Sequence, residues 1–326
     1  MTFAGQPRIL ITGAHGFVGR HLVRRLLELL PADGTLIFAD THAPKEAPPP
    51  RCSLRTVDIT DADGVEELVR SENPTHLVHL AAIAAVAQAQ AAIRRAWAVN
   101  FSGVQNLALA VVEHAPACRF LFCSSAEVYG ASFAGGAKLD ERALLQPVSV
   151  YGAAKAAADI MLGQMARHGL KVVRMRPVNH TGPEQSTAFV VPAFAAQIAR
   201  IERGECEPVL QVGDLSNARD FLDVRDVVDA YVRSLIAFDE LPNGVAINVA
   251  SGHARQVRSI LNDLQAMSST RINVSIDPTR LRPSDTPIVA CNADLAYRLL
   301  RWHPKHAWED TLRSVMEYWR AQPAAR

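Results

Sequence analysis

The sequence has almost no excess charge of either sign. Its 326 residues carry 34 Lys and Arg against 33 Asp and Glu, a formal net charge of +1, and no basic patch stands out along the chain. That balance argues against a nucleic-acid binder, whose electrostatic footprint would be a basic stripe. The amino terminus has no positively charged leader followed by an apolar core, and no apolar run is long enough for a membrane span. The chain is therefore expected in the cytoplasm. Cysteine is scarce too: Cys52, Cys118, Cys123, Cys206 and Cys291 are odd in number and scattered without paired spacing. They suggest neither a disulfide framework nor a zinc site, and are expected to be reduced thiols. What is present is an ordinary globular composition, 49% hydrophobic, at a length that suits one large domain or two closely joined ones.

The amino-terminal stretch is the first to carry chemistry. RILIT, residues 8–12, is an apolar strand that runs into GAHGFVG and then into the helix-like HLVRRLLELL. Strand, glycine loop and helix in that order form a dinucleotide signature. Gly13, Gly16 and Gly19 let the backbone turn tightly and approach a pyrophosphate, which the helix amino terminus attracts through its free amides and its dipole. The second strand, 35–39, ends in Asp40, about twenty residues beyond the loop, where a carboxylate accepts hydrogen bonds from the adenosine ribose hydroxyls and repels a 2′-phosphate. Asp40 thus favours NAD over NADP, while His42 and Lys45 nearby leave dual use open.

A second concentration of chemistry lies between 120 and 155. Residues 120–124 are a short apolar run of strand formers that meets Ser124, Ser125 and Ala126. From Tyr151 an alanine-rich run has strong helix propensity, which puts Tyr151 and Lys155 four apart on one helical face. An ammonium held near a tyrosine favours the phenolate and lowers its pKa. Tyr151 is accordingly expected to pass a proton to or from an alcohol or carbonyl oxygen. The Ser125 hydroxyl is expected to donate a second hydrogen bond to the same oxygen.

Strand-like and helix-like segments alternate between these stretches: a strand at 54–57, a helix at 62–71, a strand at 76–80, and a long helical stretch over 89–113 that carries Asn100. Five alternations by Ser124 predict an α/β fold with a parallel, doubly wound sheet of the Rossmann type. The proline-rich segment 41–51 is a loop and not a domain linker, because alternation resumes at once. After a strand at 171–175, a helix at 189–203, a strand at 209–212 and an amphipathic closing helix at 308–319 predict a smaller carboxy-terminal lobe. The division expected is 1–178 for dinucleotide binding, with crossovers back to the sheet from about 213–250, and 179–326 mainly for substrate.

The motifs GAHGFVG, Asp58 with Ile59, HLAA from His79, VNFSGVQNL from Val99, SSAEVYG from Ser124, YGAAK from Tyr151 and RPVNHTGP from Arg176 together resemble the extended short-chain dehydrogenase/reductases, in the branch that modifies sugar nucleotides. The resemblance runs from one end of the chain to the other. It implies cofactor contacts at Gly13, Gly16, Phe17, Val18, Gly19, Asp40, Asp58, Ile59, Leu80, Ala81, Ala82 and Asn100, with Asp58 and Ile59 beside the adenine. It makes Ser125, Tyr151 and Lys155 catalytic, Lys155 also gripping the nicotinamide ribose, and gives Asn179, Arg219 and Arg282 to the substrate diphosphate, for which guanidinium forks are suited. Residues 179–231 look most like enzymes acting on GDP-linked 4-keto-6-deoxy sugars. The activity implied is NAD(P)H-dependent reduction of such a 4-keto group. The alternatives are a 4-epimerase or 4,6-dehydratase with tightly bound NAD and, more remotely, a non-catalytic cofactor-binding protein. Ala126 stands where deoxythymidine-linked dehydratases of this branch have an acid, whereas Glu127 leaves dehydration open. The resemblance also implies a homodimer built on the helices at 89–110 and 151–165.

Overall fold

The computed structural model describes residues 2–3, 5–42, 47–281, 286 and 288–323. Arg282 and Lys45 lie outside the described residues. The chain begins with β1 (Arg8–Thr12), α1 (Phe17–Leu29), β2 (Thr35–Asp40), β3 (Cys52–Thr56), α2 (Ala62–Glu72) and β4 (His76–His79). Two short helices follow, α3 (Val86–Ala91) and α4 (Ile93–Trp97), then a π-helical turn over Ala98–Ser102, then α5 (Gly103–His114) and β5 (Arg119–Cys123). Next come α6 (Val150–Ala166), β6 (Val172–Pro177), β7 (Asn179–Thr181), α7 (Val190–Glu202), β8 (Val209–Val212), β9 (Ala218–Asp223) and α8 (Val224–Ile236). The last part holds β10 (Ala246–Val249), β11 (Ala254–Gln256), α9 (Val257–Ala266), β12 (Asn273–Ile276), β13 (Ile288–Val289), α10 (Asp294–Leu300) and α11 (Trp308–Ala321).

Seven strands form one sheet in the order β10-β6-β5-β4-β1-β2-β3, every neighbouring pair parallel. Parallel strands are covered by helices on both faces, so they read as near-continuous apolar runs. Ile9, Leu10 and Ile11 have no exposed surface, and each such side chain stabilises the fold by roughly 1.5–3 kcal/mol through burial. Alternate residues enter different cores: Ile9, Ile11, Val78, Leu121 and Val173 join one cluster, while Leu10, Leu77, Phe120, Phe122 and Val172 join the other. Strand order reverses at β1 and β4, and the crevice beyond their carboxyl ends is where an open α/β sheet takes a ligand.

Outside this sheet, β9 pairs with β7, β11 and β13, and β8 pairs with β12. A third core, which includes Phe194, Ile198, Leu210, Trp308, Leu312 and Met316, packs α7, α9 and α11 over these strands.

The expected continuous helix over 89–113 is broken. Ala92 leaves helical geometry, with φ −131° and ψ 57°, and the π-helical turn interrupts the run at 98–102. The interruption has a physical cause. It presents Asn100 to the core, where the side-chain oxygen accepts from Ile83 N at 2.9 Å and Nδ2 donates to Ile83 O at 3.1 Å. A regular helix set by alanine propensity alone would not require either bond.

Candidate active site

Ser149 caps α6 by accepting a hydrogen bond from Gly152 N at 3.0 Å, which fixes where the helix begins. Tyr151 and Lys155 follow within its first two turns. Lys155 is fully buried, donates from Nζ to the carbonyl of Cys123 at 2.7 Å, and sits 4.9 Å from the Phe122 ring centroid. The helix is thereby attached to the end of β5. Directly after β5, the Ser125 Oγ accepts from Glu127 N at 3.1 Å, and the Ser125 hydroxyl is close enough to Tyr151 to favour its phenolate.

Electrostatics at the pair differ from the sequence expectation. Burial pushes the Tyr151 pKa up, and the neighbouring Cys123 and Glu127 push the same way, against the Ser125 hydrogen bond. The Lys155 ammonium donates to the Cys123 carbonyl. The phenol therefore keeps its proton in this geometry. Burial in turn lowers the Lys155 pKa, opposed by Cys123 and Asp159.

Glu127 lies in the same corner. Burial raises its pKa and the Arg219 guanidinium lowers it. Arg219 stands on β9, whose partner β7 carries Asn179 opposite Phe221; the Arg219 guanidinium acts on Glu127, which in turn acts on Tyr151.

The other half of the crevice is a cleft of about 350 Å³ lined by Gly13, Gly16, Asp40, Asp58, Ile59 and the loop Leu80, Ala81, Ala82 and Ile83, among others. Gly13 has φ +73°, and a Cβ there would meet Ala81 N at 2.8 Å. The glycine loop after β1 and the alanine loop after β4 are therefore in backbone contact. Phe17 begins α1 and stacks on His180 with ring centroids 6.1 Å apart, whereas Val18 packs against the core. Asn100 is not a lining residue but the clamp beneath the 81–83 loop.

The sequence profile of the GDP-mannose 4,6 dehydratase family matches residues 10–315. The chain belongs to that family. GDP-6-deoxy-D-mannose reductase of Pseudomonas aeruginosa is 30% identical to it, over 97% of this chain and 98% of the relative. Among solved structures, RMD from Pseudomonas aeruginosa complexed with NADPH aligns with a TM-score of 0.83 at 28% identity, covering 97% of this chain and 99% of that one. The UDP-glucose 4-epimerase of Thermus thermophilus in complex with NAD gives a TM-score of 0.82 at 26% identity, covering 96% and 99%.

The cleft of this family member fits a dinucleotide. A Cβ at Gly19 would lie 2.3 Å from the Gly13 carbonyl oxygen, so the glycine loop is folded tightly onto the first turn of α1, and that turn is left open to a pyrophosphate.

Two groups at the cleft escape sequence reasoning. The His15 Nδ1 lies 2.5 Å from Oδ2 of the lining Asp40, so an imidazole shares that carboxylate. Its place between Gly13 and Gly16, together with the register that sets Thr12 beside Ala39, is the signal that would have found it. Arg95 lines the cleft and donates to Asp58 Oδ2 at 2.8 Å, holding that carboxyl down at about 2, with the Thr60 amide and hydroxyl assisting. No local pattern marks Arg95, since α4 meets the end of β3 only through the fold. Cys123, expected to be merely structural, bonds Tyr231 Oη at 2.9 Å and sits against Lys155.

Proposed function

We propose that this protein is an NAD(P)H-dependent reductase of the 4-keto group of a GDP-linked 4-keto-6-deoxyhexose, forming a GDP-6-deoxy-D-mannose (GDP-D-rhamnose) type of product. The observation that carries the reading is the 30% identity, over 97% of this chain, with GDP-6-deoxy-D-mannose reductase, together with Tyr151 and Lys155 on one face of α6 next to Ser125. In a reductase Tyr151 acts as the acid, and in an epimerase or dehydratase, which begins by oxidising an alcohol, the same residue acts as the base. The similarity to GDP-6-deoxy-D-mannose reductase supports the nucleotide and the sugar.

Bound NAD(P)H supplies the hydride to C4. Tyr151 gives its Oη proton to the new alkoxide oxygen. Ser125 already accepts from Glu127 N, so its own hydroxyl proton is available to the same oxygen, stabilising charge as it develops. Lys155 holds the nicotinamide ribose, while Gly13, Gly16, Phe17, Val18, Gly19, Asp40, Asp58, Ile59 and residues 80–82 hold the rest of the cofactor. Asn179, Arg219 and Arg282 anchor the substrate diphosphate, so that binding remote from the reacting carbon orients the ketone. In this scheme residues 179–326 are mainly the substrate lobe, apart from the crossovers back to the sheet within about 213–250, among them α8 and β10.

Glu127 favours a second reading. A buried carboxyl with a raised pKa beside Arg219 is the kind of group that 4,6-dehydration needs in addition to a tyrosine, and NAD would then stay bound and cycle internally. The decisive assay mixes the protein with NADH, then NADPH, and freshly generated GDP-4-keto-6-deoxymannose. Loss of reduced-nicotinamide absorbance equimolar with sugar reduced is the expected result. No loss, together with interconversion of GDP- or UDP-hexoses without added cofactor, would replace the reductase with the second reading.

We further infer a cytoplasmic homodimer. Ile93, Trp97, Leu109, Val112 and Ile160 leave 37–59% of their surface exposed on α4, α5 and α6, an apolar face suited to a second copy. Among the described residues no helix is long and apolar enough to cross a membrane. A monomer mass by light scattering at working concentration would refute the dimer.

A further inference from the structure

Tyr151, Lys155 and Asp159 are spaced four apart and share one stripe of α6. The third member has no part in the scheme above, yet its carboxylate accepts four side-chain hydrogen bonds. Asp159 has no exposed surface. Its Oδ2 accepts from Ser124 Oγ at 2.7 Å and from Arg176 Nε at 3.0 Å. Its Oδ1 accepts from Arg174 Nη1 and Arg176 Nη2, each at 2.7 Å. Arg174 and Arg176 stand on β6, and Ser124 is the residue between β5 and Ser125. One carboxylate thus ties the helix bearing Tyr151 and Lys155 to the strand end bearing Ser125.

Stability alone is a poor reason for such a cluster, because a buried ion pair gains little over well-packed apolar side chains. The neighbourhood of Lys155 suggests another. The groups acting on that ammonium are Cys123 from β5, His79 from β4 and Asp159 from its own helix, with Tyr231 of α8 behind Cys123 and Tyr151 one turn before it on α6. Burial keeps Cys123 a thiol, His79 neutral and both tyrosines protonated. Asp159 is therefore the one group among them with a negative charge at neutral pH, and Arg174 and Arg176 hold it ionised.

We propose that Asp159 is a positioning residue for the catalytic pair, locking α6 to the Ser124–Ser125 corner and keeping Lys155 an ammonium. The proposal rests on the roles assigned above to Tyr151 and Lys155. An anion nearby favours the charged amine, so deleting it lowers the pH at which Lys155 gives up its proton, and activity should fail on the alkaline side sooner.

The test compares alkaline limbs of the pH–rate profile, using whichever nucleotide sugar the wild type converts. A failed reductase assay then bears on the proposed function alone and leaves this comparison intact. Asp159→Asn is expected to move the limb to lower pH by about one unit or more, and Asp159→Glu, which keeps the charge, to return it toward the wild-type position. A merely structural role would lower activity evenly at every pH. A folded Asp159→Asn whose limb stays where the wild type has it overturns the proposal. Should that variant not fold, Arg174→Gln decides. Removing one compensating cation leaves Asp159 a stronger field at Lys155 and should move the limb to higher pH; a limb unmoved or moved down overturns the proposal.

Discussion

Gly19→Ala is the sharpest perturbation of the cofactor cleft. The added methyl carbon would stand 2.3 Å from the Gly13 carbonyl oxygen, 2.5 Å from that of Ala14 and 2.7 Å from the Ala14 carbonyl carbon. All three are backbone atoms, so no flexible side chain can swing aside. Restoring an ordinary contact requires the glycine loop to move away from α1 by most of an ångström, and overpacking of this kind costs about 1–3 kcal/mol. Because the loop is also the proposed cradle for the pyrophosphate, the displacement should appear in binding as well as in folding. At 1.4 kcal/mol per tenfold, NADH affinity is expected to fall by roughly 5- to 150-fold, and the melting temperature by about 2–6 °C. Gly135→Ala is the control: its Cβ would meet nothing within 4 Å. Nicotinamide fluorescence titration and thermal unfolding of the two variants beside the wild type provide the measurement. A Gly19→Ala protein that binds NADH and melts as the wild type does would refute the claim that this loop is a close-packed cradle.

Two further outcomes follow from the same geometry. Tyr151→Phe removes the proposed acid while keeping the ring, so turnover of the converted sugar nucleotide should fall by about 10²–10⁴-fold with NADH binding little changed; retention of full turnover would remove Tyr151 from the chemistry. Burial holds His76 down at about 4, against an ordinary value of 6.5; the unfolded chain therefore takes up the proton first, and stability is present above pH 6.5 and lost as pH falls toward 4. The loss at this site is about 3 kcal/mol, and urea midpoints of wild type and His76→Gln between those pH values should converge on the acid side; parallel lines would exclude His76 as the cause.

Much of the site is legible along the chain because it is built from short-range rules. A glycine loop between an apolar strand and an amphipathic helix, a carboxylate ending the next strand, and a tyrosine and lysine one helical turn apart are all statements about neighbours in sequence, and backbone sterics and periodicity read them directly. The interrupted helix before α5 is not legible: alanine propensity argues for one continuous helix, whereas the π-helical turn accompanies the two hydrogen bonds between the Asn100 side chain and the amide and carbonyl of Ile83.

What the sequence determines by itself, then, is the doubly wound parallel sheet and the glycine-lined cleft beyond β1, since these follow from local pattern and strand-helix alternation. Only the tertiary structure decides the charge state of the side chains at the site. Lys155 turns to the Cys123 carbonyl and not to the Tyr151 phenol, His15 comes to share Asp40, and Asp159 gathers Arg174, Arg176 and Ser124 against α6. The reason is that desolvation and Coulomb interactions depend on distance through space, and each of these partners comes from a strand or loop brought close only by the sheet.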